Sequence, residues 1–240
     1  MNGLDLFSGI GGISAAISDY VRPVAYCEID RYCQAVLLSR MATGDLSDAP
    51  IWDDITTLQG SQLPEIDIIY GGFPCQDISC AGNGAGLEGK RSGLFFEIIR
   101  LAKEIKPRFL FLENVPAIST RGGLRVVREI TEMGYDSRWC VISAEKHVDQ
   151  KRDRWFLLAK SRCLRQQEGA CQDIQQIGQT SIYEESCDYK LSNMDSWGAF
   201  ARSMRENHGV SHKVDRLRAL GNSVVPEQAK EAFKILMGLQ

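Results

Sequence analysis

At 240 residues the chain is long enough for one well-buried domain, or for one domain with a small appendage. A hydrophobic share of 44% and a charged share of 25% are those of a soluble globular protein, and no run approaches the ~18 apolar residues of a membrane span. The formal net charge of −3 argues against a simple polyanion binder.

Patterned sequence begins almost at Met1, which leaves no room for a signal peptide. Eight cysteines (27, 33, 75, 80, 140, 163, 171 and 187) therefore read as reduced, cytosolic thiols. Cys75 and Cys80 lie five apart with no CxxC or HxxxH pair beside them, so no metal site is assigned.

In chain order, GLDLF (3–7) reads as a strand and GIGGISAAISDY (9–20) as a glycine turn opening a helix. PVAYCEI (23–29) is a strand. DRYCQAVLLSRM (30–41) is an amphipathic helix with Asp30 as its N-cap. IDIIY (66–70) is a buried strand, SGLFFEIIRLAKEI (92–105) a helix and PRFLFLENV (107–115) another strand. The helix GGLRVVREITEMG (122–134) carries apolar residues at 124, 126, 127, 130 and 133 and stops at Gly134. SRWCVISA (137–144) and RWFLLA (154–159) follow as strands, with Trp155 and Phe156 as core residues. PEQAKEAFKILMGL (226–239) closes the chain as a helix with Pro226 in its first turn. This rhythm predicts an α/β doubly wound, mostly parallel sheet with helices on both faces. Residues 161–214 break it, being Gln-rich and without a clear period.

Charge is uneven. Residues 1–100 hold six Lys/Arg against 13 Asp/Glu, whereas residues 101–240 hold 22 against 18. An acidic first part and a locally basic stretch over 146–165 suit a small-molecule site beside a phosphate-backbone site, and equally a solvated mixed surface.

Polar groups collect at predicted strand ends. FSGIGG (7–12) is a glycine loop between strand and helix, where backbone N–H groups at the helix start attract a negatively charged group, and reads equally as a tight turn. Glu28 ends the next strand, where a carboxylate can take both hydroxyls of a ribose. Asp54 stands where a carboxylate could accept from an adenine amino group. Three such strand ends point to a nucleoside cofactor, and the missing polyphosphate signature favours S-adenosylmethionine over a dinucleotide. GGFPCQDIS (71–79) places Cys75 behind Pro74 on a loop, an unusual position for a thiol that merely packs.

Taken together, DLFSGIGG, YCEID, DDI (53–55), GGFPCQDIS, GLEGKRSGLFFE, ENV (113–115), QKRDR (150–154) and RLRALGNSVVPEQA (216–229) resemble, in order, the motifs of the cytosine-C5 DNA methyltransferases. The resemblance covers nearly everything outside 161–214. One departure is Asp149, where the family commonly has a proline before the glutamine of the arginine motif.

The resemblance implies a Rossmann-like S-adenosylmethionine-dependent methyltransferase fold. A catalytic and cofactor-binding domain would span 1–160, a short target-recognition region 161–214, and a C-terminal motif and helix 215–240. It implies Cys75 as the thiolate that adds to cytosine C6, Glu113 at N3 and the exocyclic amine, Arg154 on the carbonyl oxygen, and Arg152 supporting the nucleophile loop or a phosphate. Gln76 and Asn114 become substrate-binding residues. Phe7, Ser8, Gly9, Gly11, Glu28, Ile29, Asp54, Ile55, Pro74, Leu94, Asn222 and Ser223 become cofactor-binding residues.

The glycines at 82, 84, 86, 89 and 93 resemble a mobile lid, and Cys80 is taken as structural. The implied partner is double-stranded DNA with its target cytosine flipped out. The implied protein is monomeric, cytoplasmic, and bacterial or phage-encoded. Two alternatives stand beside this reading: an inactive homologue acting as a DNA-binding or regulatory subunit, and an RNA cytosine-C5 methyltransferase. The dipeptide after Pro74 weighs against the second.

Overall fold

The computed structural model describes residues 1–74, 93–146, 152–163, 215, 219 and 223–239. Cys75, Gln76, Cys80 and Asn222 lie outside these residues, as do most of 161–214 and the glycines between 82 and 89.

Seven strands form one sheet: β1 (Asn2–Leu6), β2 (Arg22–Cys27), β3 (Ile51–Trp52), β4 (Ile68–Gly72), β5 (Phe109–Asn114), β6 (Tyr135–Ser143) and β7 (Asp153–Ser161). Their order is β3-β2-β1-β4-β5-β7-β6. The pairs β3–β2, β2–β1, β1–β4 and β4–β5 are parallel, and β7 inserts antiparallel between β5 and β6. The doubly wound expectation holds, with β7 as the one antiparallel strand among the described residues.

The α-helices with described bounds are α1 (Gly12–Ala16), α2 (Arg31–Ala42), α3 (Gly93–Ile105), α4 (Ile118–Arg121), α5 (Gly123–Glu132) and α6 (Pro226–Met237). Asp30 caps α2 as expected, its carboxylate accepting from the N–H groups of Tyr32 and Cys33 at 2.9 and 3.1 Å. α2 is less amphipathic than its sequence suggested: only Cys33 and Leu37 are buried, and Leu38 lies on the exposed side. α1 is shorter than expected. After Ala16 the N–H groups of Tyr20 and Val21 both turn to the Ile17 carbonyl, and the Ser18 hydroxyl donates to the carbonyl of Ala15, so the chain leaves the helix. In α5 the buried positions are Val126 and Ile130, while Leu124 is 83% exposed. No described helix is long and apolar enough to cross a membrane.

The two-residue period of β5 divides the core between the two faces of the sheet. Leu110 and Leu112 face a cluster with Leu4, Leu6 and Ile69 under Phe95 and Ile98 of α3 and Val126 and Ile130 of α5. Phe109 and Phe111 face the other cluster, with Ile68 and Tyr70, under Ile13 and Ile17 near α1 and Phe233 and Leu236 of α6. Phe111 stacks on Phe156 at 5.7 Å between centroids and meets Phe233 edge-on at 5.1 Å. Trp155 and Phe156 are core residues, as their sequence predicted. This framework brings the carboxyl ends of β1 to β5 and the amino end of β7 to one edge of the sheet.

Candidate active site

The parallel strands end together, and in an open α/β sheet that edge is where ligands bind. At the end of β1 the chain turns sharply: Phe7 and Gly9 take φ values of 55° and 53°, and Gly11 one of 78°. Nothing lies within 4 Å of where a Gly9 Cβ would stand, so the loop borders open space. The Ser8 hydroxyl turns inward and donates to the Asp5 carbonyl at 2.9 Å. The Gly9 N–H donates to Glu28 Oε2 at 2.7 Å, and the Asp30 N–H donates to Glu28 Oε1 at 2.8 Å. The glycine loop therefore directs a donor at Glu28, contrary to a simple anion cradle on a helix start, and α1 has only five residues.

Burial raises the Glu28 carboxyl above its ordinary value, and backbone donors at Asp30, Gly9 and Ile29 hold it down. A carboxylate has about four lone-pair sites, so room remains for a hydroxyl group. Beside it Ile29 is 74% exposed, an apolar surface offered to solvent. Asp54 is half-buried, with its carboxylate held below the ordinary range by the Thr56 N–H and hydroxyl on Oδ1. Ile55 is buried, and its carbonyl accepts from Arg100 of α3 at 2.9 Å. An open glycine turn, an acidic group and an exposed apolar side chain in succession fit a nucleoside-bearing cofactor.

The second half of the site lies across β4, β5 and β7. Glu113 and Asn114 end β5, and Glu113 is paired in register with Gly72 of β4 and Phe156 of β7. Its carboxylate meets Arg154 Nε at 2.7 Å, with the two side chains 13% and 15% exposed. Burial pushes the Glu113 carboxyl up to about 7, against the opposing pull of the Arg154 and Arg152 guanidinium groups. A carboxyl there can hold its proton near neutrality and still be oriented by an arginine.

Asn114 is buried and uses both ends of its amide within the protein. Its Nδ2 donates to the Phe73 carbonyl at 2.8 Å, and its Oδ1 accepts from the Val115 N–H at 2.8 Å. It thus ties the end of β5 to the exit of β4, immediately before exposed Pro74. Arg152 donates to the Ser223 carbonyl, which links the β7 entry to the half-buried Ser223 turn. Leu94 packs half-buried at the start of α3 against the core.

The structure brings together Phe7, Ser8, Gly9, Gly11 and Glu28 on one side, and Glu113, Asn114, Arg152, Arg154 and Ser223 on the other. Cys75, Gln76 and Asn222 lie outside the described residues.

Sequence reasoning missed three features here. Gly72 packs so closely that a Cβ would stand 2.4 Å from Glu113 Oε2. Asp5 is buried among Ser14 and Tyr70, with Ser14 Oγ 2.6 Å from Asp5 Oδ2 and 2.7 Å from the Tyr70 hydroxyl. Gln228 is fully buried and reaches the Arg152 carbonyl. The signals were present: a charged residue inside the apolar strand GLDLF, and a glutamine on the stripe that also carries Ala229, Ala232, Phe233 and Leu236.

Residues 1–207 match the family described as C-5 cytosine-specific DNA methylase. The Type II methyltransferase M.CviJI of Paramecium bursaria Chlorella virus IL3A is 40% identical over 159 residues, covering 65% of this chain and 42% of that protein. The Type II methyltransferase M.HhaI of Haemophilus parahaemolyticus is 34% identical over 161 residues, covering 65% and 47%. The chain spans about half the length of these curated relatives. Among solved structures, the S. pombe Dnmt2 methyltransferase shares the fold with a TM-score of 0.55 at 22% identity, over 67% of this chain and 51% of that one.

Proposed function

The chain belongs to the C-5 cytosine-specific DNA methylase family, and from that premise we propose that it is a DNA (cytosine-5-)-methyltransferase acting on a cytosine flipped out of duplex DNA. The observation that carries the reading is Glu113, a carboxyl raised to about 7 by burial, paired with Arg154 and one strand away from the chain that runs into Cys75.

C5 of cytosine is a poor nucleophile until a group adds at C6. The Cys75 thiolate forms a bond to C6, and the displaced electron pair is taken up toward N3, where the Glu113 proton is delivered. Arg154 orients the base through its carbonyl oxygen. S-adenosylmethionine, when bound, supplies the electrophilic methyl group that C5 then takes. A base removes the C5 proton, the C6–sulfur bond breaks as N3 returns its proton to Glu113, and the thiolate is regenerated. Because C6 is stacked inside a duplex, the nucleotide must leave the helix first.

The cofactor would be held by Phe7, Ser8, Gly9 and Gly11, by Glu28 and Ile29, by Asp54 and Ile55, and by Pro74, Leu94, Asn222 and Ser223. Gln76 is assigned to the substrate. Asn114, with both amide ends engaged, is assigned to bracing the nucleophile loop. Residues 1–160 form the catalytic unit, 161–214 the recognition region and 215–240 the returning C-terminal motif. The protein works as a monomer in the cytoplasm of a bacterium or a phage-infected cell.

DNA carrying 5-fluorocytosine at the target tests this directly, because fluorine at C5 cannot leave as a proton. A cross-linked peptide containing Cys75 is expected. An adduct through Cys80, or none, would overturn the covalent assignment.

A further inference from the structure

The C-terminal segment does more to the β6–β7 hairpin than cover it. Gln228 is fully buried, and its Nε2 donates to the carbonyl of Ile142 at 2.6 Å and to that of Arg152 at 2.8 Å. Arg152 O already accepts from the Ala144 N–H. In an antiparallel ladder hydrogen-bonded pairs alternate, so Ile142 and Arg154, two residues along each strand, form the next bonded pair. One amide thus bridges two consecutive rungs whose carbonyls do not depend on it for a partner. Its own Oε1 has no hydrogen-bond partner among the described residues. An orphaned buried acceptor is destabilising, and a leucine at this position would avoid that cost. The amide is thus an expensive way to fill this space.

What those rungs carry is Arg152 and Arg154. The Arg152 guanidinium is held from the same segment, by the carbonyl of Ser223. α6 is in turn fixed by Phe233 and Leu236 in the core and by Lys230 on Asp19 at 2.6 Å. We propose that Gln228 is a positioning residue: it locks the entry of β7 in register, so that Arg152 and Arg154 stand against Glu113. The inference rests on the proposed reaction for its purpose, though not for its test. Among the described residues, the charged groups that act on Glu113 are these two arginines. β4 presents Gly72 to it.

The test uses the full chain without DNA or cofactor and follows the Glu113 carboxyl carbon by NMR through a pH titration. Gln228→Leu removes both donors at similar volume. Its Glu113 midpoint should rise by about half a unit or more as the guanidinium groups loosen. Gln228→Glu keeps the volume and, while protonated, one donor; it should fall between wild type and the leucine variant. In methyl transfer the leucine variant should lose about tenfold in kcat with unchanged cofactor affinity.

A folded Gln228→Leu with the wild-type midpoint overturns the proposal. Should that variant fail to fold, a wild-type midpoint in Gln228→Glu overturns it equally. A wild-type chain that methylates no DNA would sink the proposed function and leave the titration result to stand by itself.

Discussion

Gly72→Ala separates the chemistry of this site from its stability. The added methyl carbon would stand 2.4 Å from Glu113 Oε2, 3.6 Å from its Cδ and 3.9 Å from its Cβ. The carboxylate must retreat by about 0.6 Å to reach even the shortest contact that real Cβ atoms make, 3.0 Å, and its firm tether among the described residues is the 2.7 Å pair with Arg154. The obstacle is the far end of a side chain rather than backbone, so folding should change by less than about 1 kcal/mol. A displacement near 1 Å at a reacting group costs about a hundredfold in rate, equivalent to about 3 kcal/mol of barrier. Transfer of labelled methyl to DNA, measured beside a thermal melt, reads both quantities. A folded variant turning over within about threefold of wild type would refute the placement of Glu113 in the reaction. Gly71→Ala is the contrast. Its Cβ would lie 1.8 Å from the Leu6 carbonyl oxygen at a φ of +156°, so that variant should lose stability first.

Cys75→Ser should abolish methylation while cofactor binding persists, since a hydroxyl is a far weaker nucleophile; a tenth of wild-type turnover, by single-turnover assay, would sink the mechanism. Burial raises Asp5 from 3.8 to about 7, against the Ser14 hydrogen bond, so the native state holds a proton that the unfolded chain has released. Stability from this group is therefore present below about pH 4 and lost as pH rises to about 7, by on the order of 4 kcal/mol at most. Asp5→Asn should flatten that decline in urea melts between about pH 5 and about pH 8, and an unchanged slope would discredit it. The proposed recognition region, 161–214, is short enough to offer few bidentate base contacts, each giving about 1–3 kcal/mol of discrimination, so a target of about two to four base pairs is expected. Sequencing of methylated genomic DNA checks it, and a unique site of six or more base pairs, by the same arithmetic, would contradict it.

The fold was legible because its strands and helices have distinct periods and end in turn residues, as at Asp30, Gly134 and Pro226. The site was legible only as an ordered set of motifs, since nothing in spacing alone places Glu113 against Arg154. Leu124 shows that an apolar residue in a helical stretch need not lie on its buried stripe. The buried face begins at Val126, and Gly122 and Gly123 start the helix with Leu124 pointing out. α1 was overextended for a related reason: Ser18 and Asp19 continue an apparent helix whose hydrogen bonds have already closed on Ile17. Asp5 with Tyr70, Gly72 with Glu113 and Gln228 with Arg152 come from strands and helices far apart in sequence. Their contacts follow from strand order, which one chain's periodicity does not encode.

The cluster that joins Ile13 and Ile17 to Phe233 and Leu236 also sets a timetable for synthesis. About 220 residues separate Ile13 from Phe233. At ordinary elongation of about 5–20 residues per second, the first of these side chains waits roughly ten to forty seconds for the last. Through that interval one face of the growing sheet remains uncovered, and the nascent chain is a client for any chaperone that binds exposed apolar strands. A ribosome pausing before codon 226 would prolong the exposure, and release of the chain there would leave Phe111 without the Phe233 ring that meets it edge-on.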